Sequence, residues 1–233
     1  QRELLRACLL PPGEALPAYR RWLGRVDIQR LDHGSNRLLG LLYRNLSRAG
    51  EEFPHAALLK GNWRYHWVQN QTRVREVAGI LRKMAEAGLP VMLLKGAALL
   101  DGYYKDYGSR PMADVDLLVP EQRAGERWNG SGSGGYLPLR HSAEAIRRSL
   151  RYNHALHLRK EGAVDIDLHW FMQHDGMSPG ADDAVWERSK PSATFGPDCR
   201  CRAPLICLSM FARTGCGIAR SRRCGGWRMH GSS

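Results

Sequence analysis

The chain has 233 residues, 43% apolar and 25% charged. That suits a soluble globular protein of one ordinary domain or one and a half, and excludes a disordered tail. Its longest apolar runs, such as Leu89 to Leu94, are too short to cross a bilayer. No basic-then-apolar leader opens the sequence, which starts at Gln1 rather than Met, so its N-terminus is expected to lie upstream.

The net charge of +12 and the six cysteines are unevenly placed. From Cys199 to Ser233 there are seven arginines, no acidic residue and five cysteines, leaving only Cys8 elsewhere. The body, residues 1–198, therefore carries about +5, weak support for nucleic-acid binding. Its single cysteine fits a reduced, cytoplasmic protein.

Residues 1–88 read as a helical region. Leu38, Leu39, Leu41, Leu42 and Leu46 form a helix-period stripe between Asp32 and Arg48, with Ser35 expected as N-cap. From His55 to Ala87, Leu58, Leu59, Trp63, Trp67, Val74, Val77, Ile80, Leu81 and Met84 recur every three or four residues. This predicts one long amphipathic helix, with Gly88 at its C-terminal cap. The pattern then changes. Pro90 to Leu94 is a short buried strand, Lys95-Gly96 ends it, and Ala97 to Tyr104 forms a short helix. Asp114 to Val119 is a second strand, and a helix is expected to begin within 121–128. The stretch NGSGSGG, 129–135, is expected to be flexible. His154 to Lys160 and Ala163 to Trp170, joined by Glu161-Gly162, predict a β-hairpin.

Alternation along a strand puts Asp114 and Asp116 on one face, about 7 Å apart, with Val115 and Leu117 turned to the core. Two carboxylates so placed repel unless a positive charge lies between them, and a hard divalent cation meets that need. A solvated strand end remains open beside that reading. The same alternation puts Asp165, Asp167 and His169 on one face. If the strands are neighbours, a third carboxylate joins the pair, as in two-metal phosphoryl or nucleotidyl transfer. A hairpin with a polar face in water is the alternative. Lys95-Gly96 follows a strand and precedes a helix, where free N–H groups favour phosphate. A surface lysine beside a helix-start glycine would look the same.

The order of these features is more specific than any one of them. The stretch LLKGAALLDGYYKDYGSRPMADVDLLV, followed by VDIDLHW, resembles an uncharacterised nucleotidyltransferase family within the DNA polymerase beta-like superfamily. The resemblance runs from about Asp32 to Phe195. It implies an α+β fold, a mixed sheet with helices, and metal-dependent transfer of a nucleoside monophosphate from an NTP. It assigns Asp114 and Asp116 to the metal-binding pair and Asp167 to the third carboxylate, with Asp165 in reserve. It also implies that Gly96 lets phosphate approach, that Lys95 and Arg110 contact the triphosphate or the acceptor, and that the ion is Mg²⁺ or Mn²⁺. His169 lies in the motif without an assigned role. Two features depart from the superfamily pattern: Ala97 follows the glycine where Gly or Ser is usual, and the gap from Gly96 to Asp114 is longer.

These readings divide the chain into a helical region (1–88), a nucleotidyltransferase-like core (89–198) and an irregular Arg/Cys/Gly-rich tail (199–233). The tail's cysteines lack the paired C-x2-C spacing of zinc modules. A basic nucleic-acid arm is a second reading. A third is a displaced reading frame, since Arg223 to Gly231 read two bases later permits LRWVADAW, a helical continuation. Arg127 to Gly135 raises the same question. The expected function is nucleotidyl transfer to an acceptor that the sequence does not name. A non-catalytic relative acting as a binding module and a nucleic-acid binder are the alternatives.

Overall fold

The N-terminal helices α1 (Arg2–Leu9) and α2 (Pro12–Leu23) form where short apolar stripes alternate with arginines. Leu4, Ala7 and Cys8 of α1 pack on Ala15, Leu16, Tyr19 and Trp22 of α2. Asn45 holds the end of α1 by donating from Nδ2 to Ala7 O and Leu10 O, each at 2.9 Å. The computed structural model describes residues 1–124, 135–139, 142–192 and 194–201.

The helix expected over Asp32–Arg48 is two helices, α3 (His33–Asn36) and α4 (Leu39–Ser47). Asp32, not Ser35, is the N-cap: its Oδ1 accepts the Ser35 N–H at 3.0 Å, and the Ser35 hydroxyl donates to Oδ2 at 2.6 Å. The helix starts at His33, earlier than expected, so Asp32 stands where a side-chain oxygen reaches the N3 N–H, and Ser35 lies inside the first turn. The chain then tightens, Leu38 N–H bonding Ser35 O at 3.1 Å, before α4 starts.

Helix α5 (Ala56–Glu86) is continuous over 31 residues, as its apolar stripe predicts. Gly88, at φ +64°, ends it: Gly88 N–H bonds Ala85 O at 2.8 Å and Leu89 N–H bonds Met84 O at 2.9 Å. This is the two-bond closure that satisfies the last carbonyls of a helix.

Next come β1 (Val91–Leu93), α6 (Lys95–Leu99) with a π-turn over Leu100–Tyr104, and β2 (Asp114–Leu118). A short β3 (Leu137–Pro138) and α7 (Ala143–Tyr152) lead into β4 (Ala155–Arg159) and β5 (Asp165–His169). These last two form the predicted antiparallel hairpin, and its turn uses Gly162 at φ +72°. The chain closes with α8 (Asp183–Glu187), β6 (Lys190–Ser192) and β7 (Gly196–Cys201). Among the described residues, the helix expected within 121–128 is only a 3₁₀ turn, Glu121–Arg123. Residues 125–134, including most of NGSGSGG, lie outside the description.

One mixed sheet results, in the order β3-β4-β5-β2-β1-β7-β6. Strand β1 is antiparallel to β2 and parallel to β7, and β2 is parallel to β5. One face buries Val115, Leu117, Ile166 and Leu168 against Val77, Leu81 and Met84 of α5 and Ala97 to Leu99 of α6. The opposite face carries the acidic residues of β2 and β5. Beyond them lies a small apolar cluster of Met92, Leu94, Leu118, Met172 and Val185, flanked by Trp186.

The irregular tail was expected to start at Cys199, but β7 runs through Cys201. Cys199 and Cys201 are both buried in the main core. Polar neighbours obscured this strand: Cys199 and Cys201 enter the core from alternate positions, and Arg200 between them is only half-buried. Burial pushes the Cys199 thiol up to about 12, as apolar packing around a thiol does. The rest of the tail, 202–233, lies outside the described residues, as do the reading-frame and basic-arm readings placed there. Among the described residues no helix is long and apolar enough to cross a membrane.

Candidate active site

The parallel ladder between β2 and β5 pairs Asp114 with Asp165, Asp116 with Asp167, and Leu118 with His169. Side chains at paired positions share a face, so the two acidic strands put their carboxylates side by side. Potential ligand atoms of Asp116, Asp167 and His169 all lie within 4.8 Å of one another. Asp116 and His169 are almost wholly buried, at 3% and 2% exposure, while Asp167 is half-buried.

Asp116 Oδ1 accepts from His169 Nε2 at 3.1 Å and forms an ion pair with the Lys95 ammonium. Burial alone would raise its pKa. The His169 hydrogen bond and the Lys95 charge outweigh that and hold the carboxyl below its ordinary range. Asp114, exposed at the start of β2, behaves oppositely. The protein around it removes part of its hydration, and the charges of Asp116 and Asp167 add to that, so its carboxyl is raised. Asp114 thus belongs to the same electrostatic cluster but is not among the three residues whose ligand atoms converge.

Asp167 has a partner that the sequence did not suggest. His157, opposite it on β4, donates from Nδ1 to Asp167 Oδ1 at 2.6 Å, and its Nε2 lies 3.4 Å from Asp165 Oδ2. Arg159 pairs with Asp165 at 3.3 Å. The reserve carboxylate is therefore engaged with the hairpin's basic side chains, and Asp167 is the one facing Asp116. His157 also lines a cleft of about 900 Å³ between α7 and β4, together with Arg148, Ser149, Tyr152 and Asn153. Behind His169 stands His154, their rings 5.3 Å apart. Burial lowers the His154 pKa to about 4, with His169 and His174 adding to the effect.

Lys95, Gly96 and Arg110 are close together. Lys95 opens α6 with φ +42°, a left-handed conformation uncommon outside glycine. The preceding Leu94 N–H bonds Asp116 O at 2.9 Å, so the lysine follows directly from a residue tied to β2. A Cβ placed on Gly96 would lie 3.7 Å from Arg110 Nη1, which puts the guanidinium beside that glycine.

Arg110 is held there by parts of the chain that sequence reasoning passed over. Asn70, fully buried on the apolar stripe of α5, donates from Nδ2 to Tyr107 O and Arg110 O, both at 2.7 Å. Asp106 accepts from Trp63 Nε1 at 3.0 Å, from Gly108 N–H at 3.2 Å and from the Ser109 hydroxyl. The legible signals were an asparagine standing in line with Trp63, Val77 and Met84, and the Asp-x-Gly-Ser turn at 106–109.

A search against protein-family models matches an uncharacterised nucleotidyltransferase family over residues 34–213. The chain belongs to this nucleotidyltransferase family. Its α+β fold, with helices on a mixed seven-stranded sheet, agrees with the fold that the motif order implied. The match extends past Cys199, so the family's pattern continues beyond the boundary set by composition. No curated protein and no solved structure matches the chain. Membership supports a nucleotide substrate and nucleotidyl transfer in general, and the Asp116–Asp167–His169 group can hold a metal ion.

Proposed function

We propose that this nucleotidyltransferase moves a nucleoside monophosphate from an NTP to a hydroxyl-bearing acceptor, using Mg²⁺ or Mn²⁺. The observation that carries the reading is the parallel β2–β5 register, which sets Asp116 beside Asp167 on one face of the sheet. The donor set fits a divalent cation: two carboxylates and an imidazole within ligand distance, with Asp114 adding negative charge at the mouth. Asp116 and Asp167 would hold the ion, with Asp114 or His169 completing the set. When bound, the ion would neutralise charge on the phosphates and favour an ionised acceptor oxygen.

The chain's own residues supply the rest. Lys95 and Arg110, either side of Gly96, offer cations to the triphosphate. Asp167, half-buried and oriented by His157, takes the proton from the acceptor hydroxyl as its oxygen bonds the α-phosphorus. The bond from that phosphorus to the α–β bridging oxygen breaks, and pyrophosphate leaves with the electron pair. Ala97 contributes no hydroxyl, so phosphate recognition here relies on main-chain N–H groups and these two cations.

The test compares NTP binding in the presence of Mg²⁺ by the wild-type chain and by Asp114→Ala with Asp116→Ala, followed by pyrophosphate release with a mixed metabolite pool. Loss of both in the double variant is expected. Equal binding by the two proteins removes the proposed site. Binding without pyrophosphate release, whatever the acceptor offered, would favour a non-catalytic binding module instead.

A further inference from the structure

Lys95 occupies an unusual position for a residue expected to contact phosphate. Its ammonium lies on Asp116 Oδ1, the oxygen that also accepts from His169. Asp116 is 3% exposed, and a buried carboxylate needs a compensating charge. Lys95 supplies it. It is anchored at short range, because Leu94 is hydrogen-bonded to Asp116 through the backbone and Lys95 follows in the left-handed region. A non-glycine residue is kept in that region only when its surroundings impose it. Here the ion pair with Asp116 and the start of α6 impose it.

We infer that Lys95 is a resident counter-cation of the carboxylate site, displaced when a metal–triphosphate complex enters and then transferred from Asp116 to the phosphates. The inference rests on the metal-site reading above and adds a mode of control to it. A free divalent cation approaching Asp116 meets a like charge and must expel the ammonium without offering it a new partner. A metal–triphosphate complex brings both the cation for Asp116 and an anion for Lys95. Metal and triphosphate therefore bind with positive coupling, and by linkage each strengthens the other to the same degree. The site discriminates against free metal and favours the loaded nucleotide. Lys95 is well placed for the exchange, since Gly96 follows it, Arg110 stands beside that glycine, and its own side chain is 24% exposed.

The experiment uses two probes that need no knowledge of base or acceptor. One is Mn²⁺ alone, followed by electron paramagnetic resonance. The other is inorganic tripolyphosphate with saturating Mg²⁺, followed by calorimetry. Lys95→Met removes the charge and keeps most of the length. Lys95→Gly removes the charge and also suits φ +42°, so backbone strain cannot explain a failure to fold. Both variants are expected to bind free Mn²⁺ at least about tenfold more tightly than wild type, because a unit charge a few ångströms away is gone. Both are expected to bind tripolyphosphate at least about tenfold more weakly. Lys95→Arg is expected to stay near wild type on both probes.

Opposite signs are the signature, since a merely structural lysine would weaken both together. Adding Asp116→Asn to Lys95→Gly is expected to abolish the gained Mn²⁺ binding. If wild type binds Mn²⁺ through Asp116 and neither charge-removing variant binds it more tightly, the counter-cation role is overturned while the metal site stands. Should no protein in the set bind Mn²⁺ through Asp116, the metal-site reading falls and the inference with it.

Discussion

Two aspartates one residue apart on β2 have opposite energetic positions. Asp116 is buried between a lysine and a histidine that favour its charge, whereas Asp114 is exposed and repelled by two carboxylates. Asp116→Asn should cost about 2–4 kcal/mol, because it leaves Lys95 and His169 facing a neutral amide. Asp114→Asn removes a charge that the fold disfavours, so stability should hold or rise slightly. Urea unfolding of the two variants checks the contrast; equal destabilisation would contradict it. Acid titration probes the same face through His154. Its folded pKa of about 4 lies below the ordinary value of 6.5, so between those limits the unfolded chain binds more protons. Stability should therefore be lost as pH falls from 6.5 toward 4. His154→Phe, which stays neutral throughout, should flatten that part of the stability profile.

At the scale of elements, the site depends on a loop that carries no predicted catalytic carboxylate. Residues 105–112 are clamped between α4 and α5. A Cβ on Gly108 would come 2.3 Å from Trp63 Nε1, and one on Gly40 would come 2.1 Å from Gly108 O. Gly40→Ala meets main chain that cannot swing aside, so it should destabilise by about 1–3 kcal/mol and displace Arg110. Asn70→Ala should cost a similar amount by leaving two carbonyls without their donor. Both substitutions should weaken tripolyphosphate binding more than Mn²⁺ binding, since they act through Arg110 and not through Asp116. Equal losses on the two probes would place the loop's role elsewhere. The strands that carry the carboxylates were legible because alternation states which face each residue takes, and the long helix was legible because its apolar stripe recurs over about eight turns, interrupted at Asn70. The loop was not, because its order comes from long-range contacts between glycines, Trp63 and Asn70 that no local period encodes. Strand β7 was hidden for a related reason: its pairing with β1 joins residues more than a hundred positions apart. His157 escaped notice because a histidine on a hairpin gains meaning only when the register puts it opposite Asp167.

At the scale of the whole molecule, α5 decides how the two parts behave. Its N-terminal Leu59 belongs to the helical cluster with Tyr19, Leu42 and Leu46, while Val77, Leu81 and Met84 belong to the core beneath the sheet. One continuous helix thus enters both cores. Over the same span it supplies Trp63 and Asn70 to the loop that sets Arg110. The boundary at residue 88, where the helical period gives way to strands, passes between these parts, yet the stabilising contacts do not divide there. We therefore expect the helical region and the sheet to unfold together. Trp22 reports the first cluster and Trp170 the second, and fluorine-labelled tryptophan distinguishes their signals during urea unfolding. The two transitions should coincide in the wild type. They should also shift together by about 2–4 kcal/mol in Leu59→Ala, although that substitution touches only the helical cluster. If the Trp170 transition stays in place while that of Trp22 moves, α5 does not transmit stability between the cores. Helix and sheet would then be separate cooperative units, and the helical region would position Arg110 without stabilising the carboxylate site.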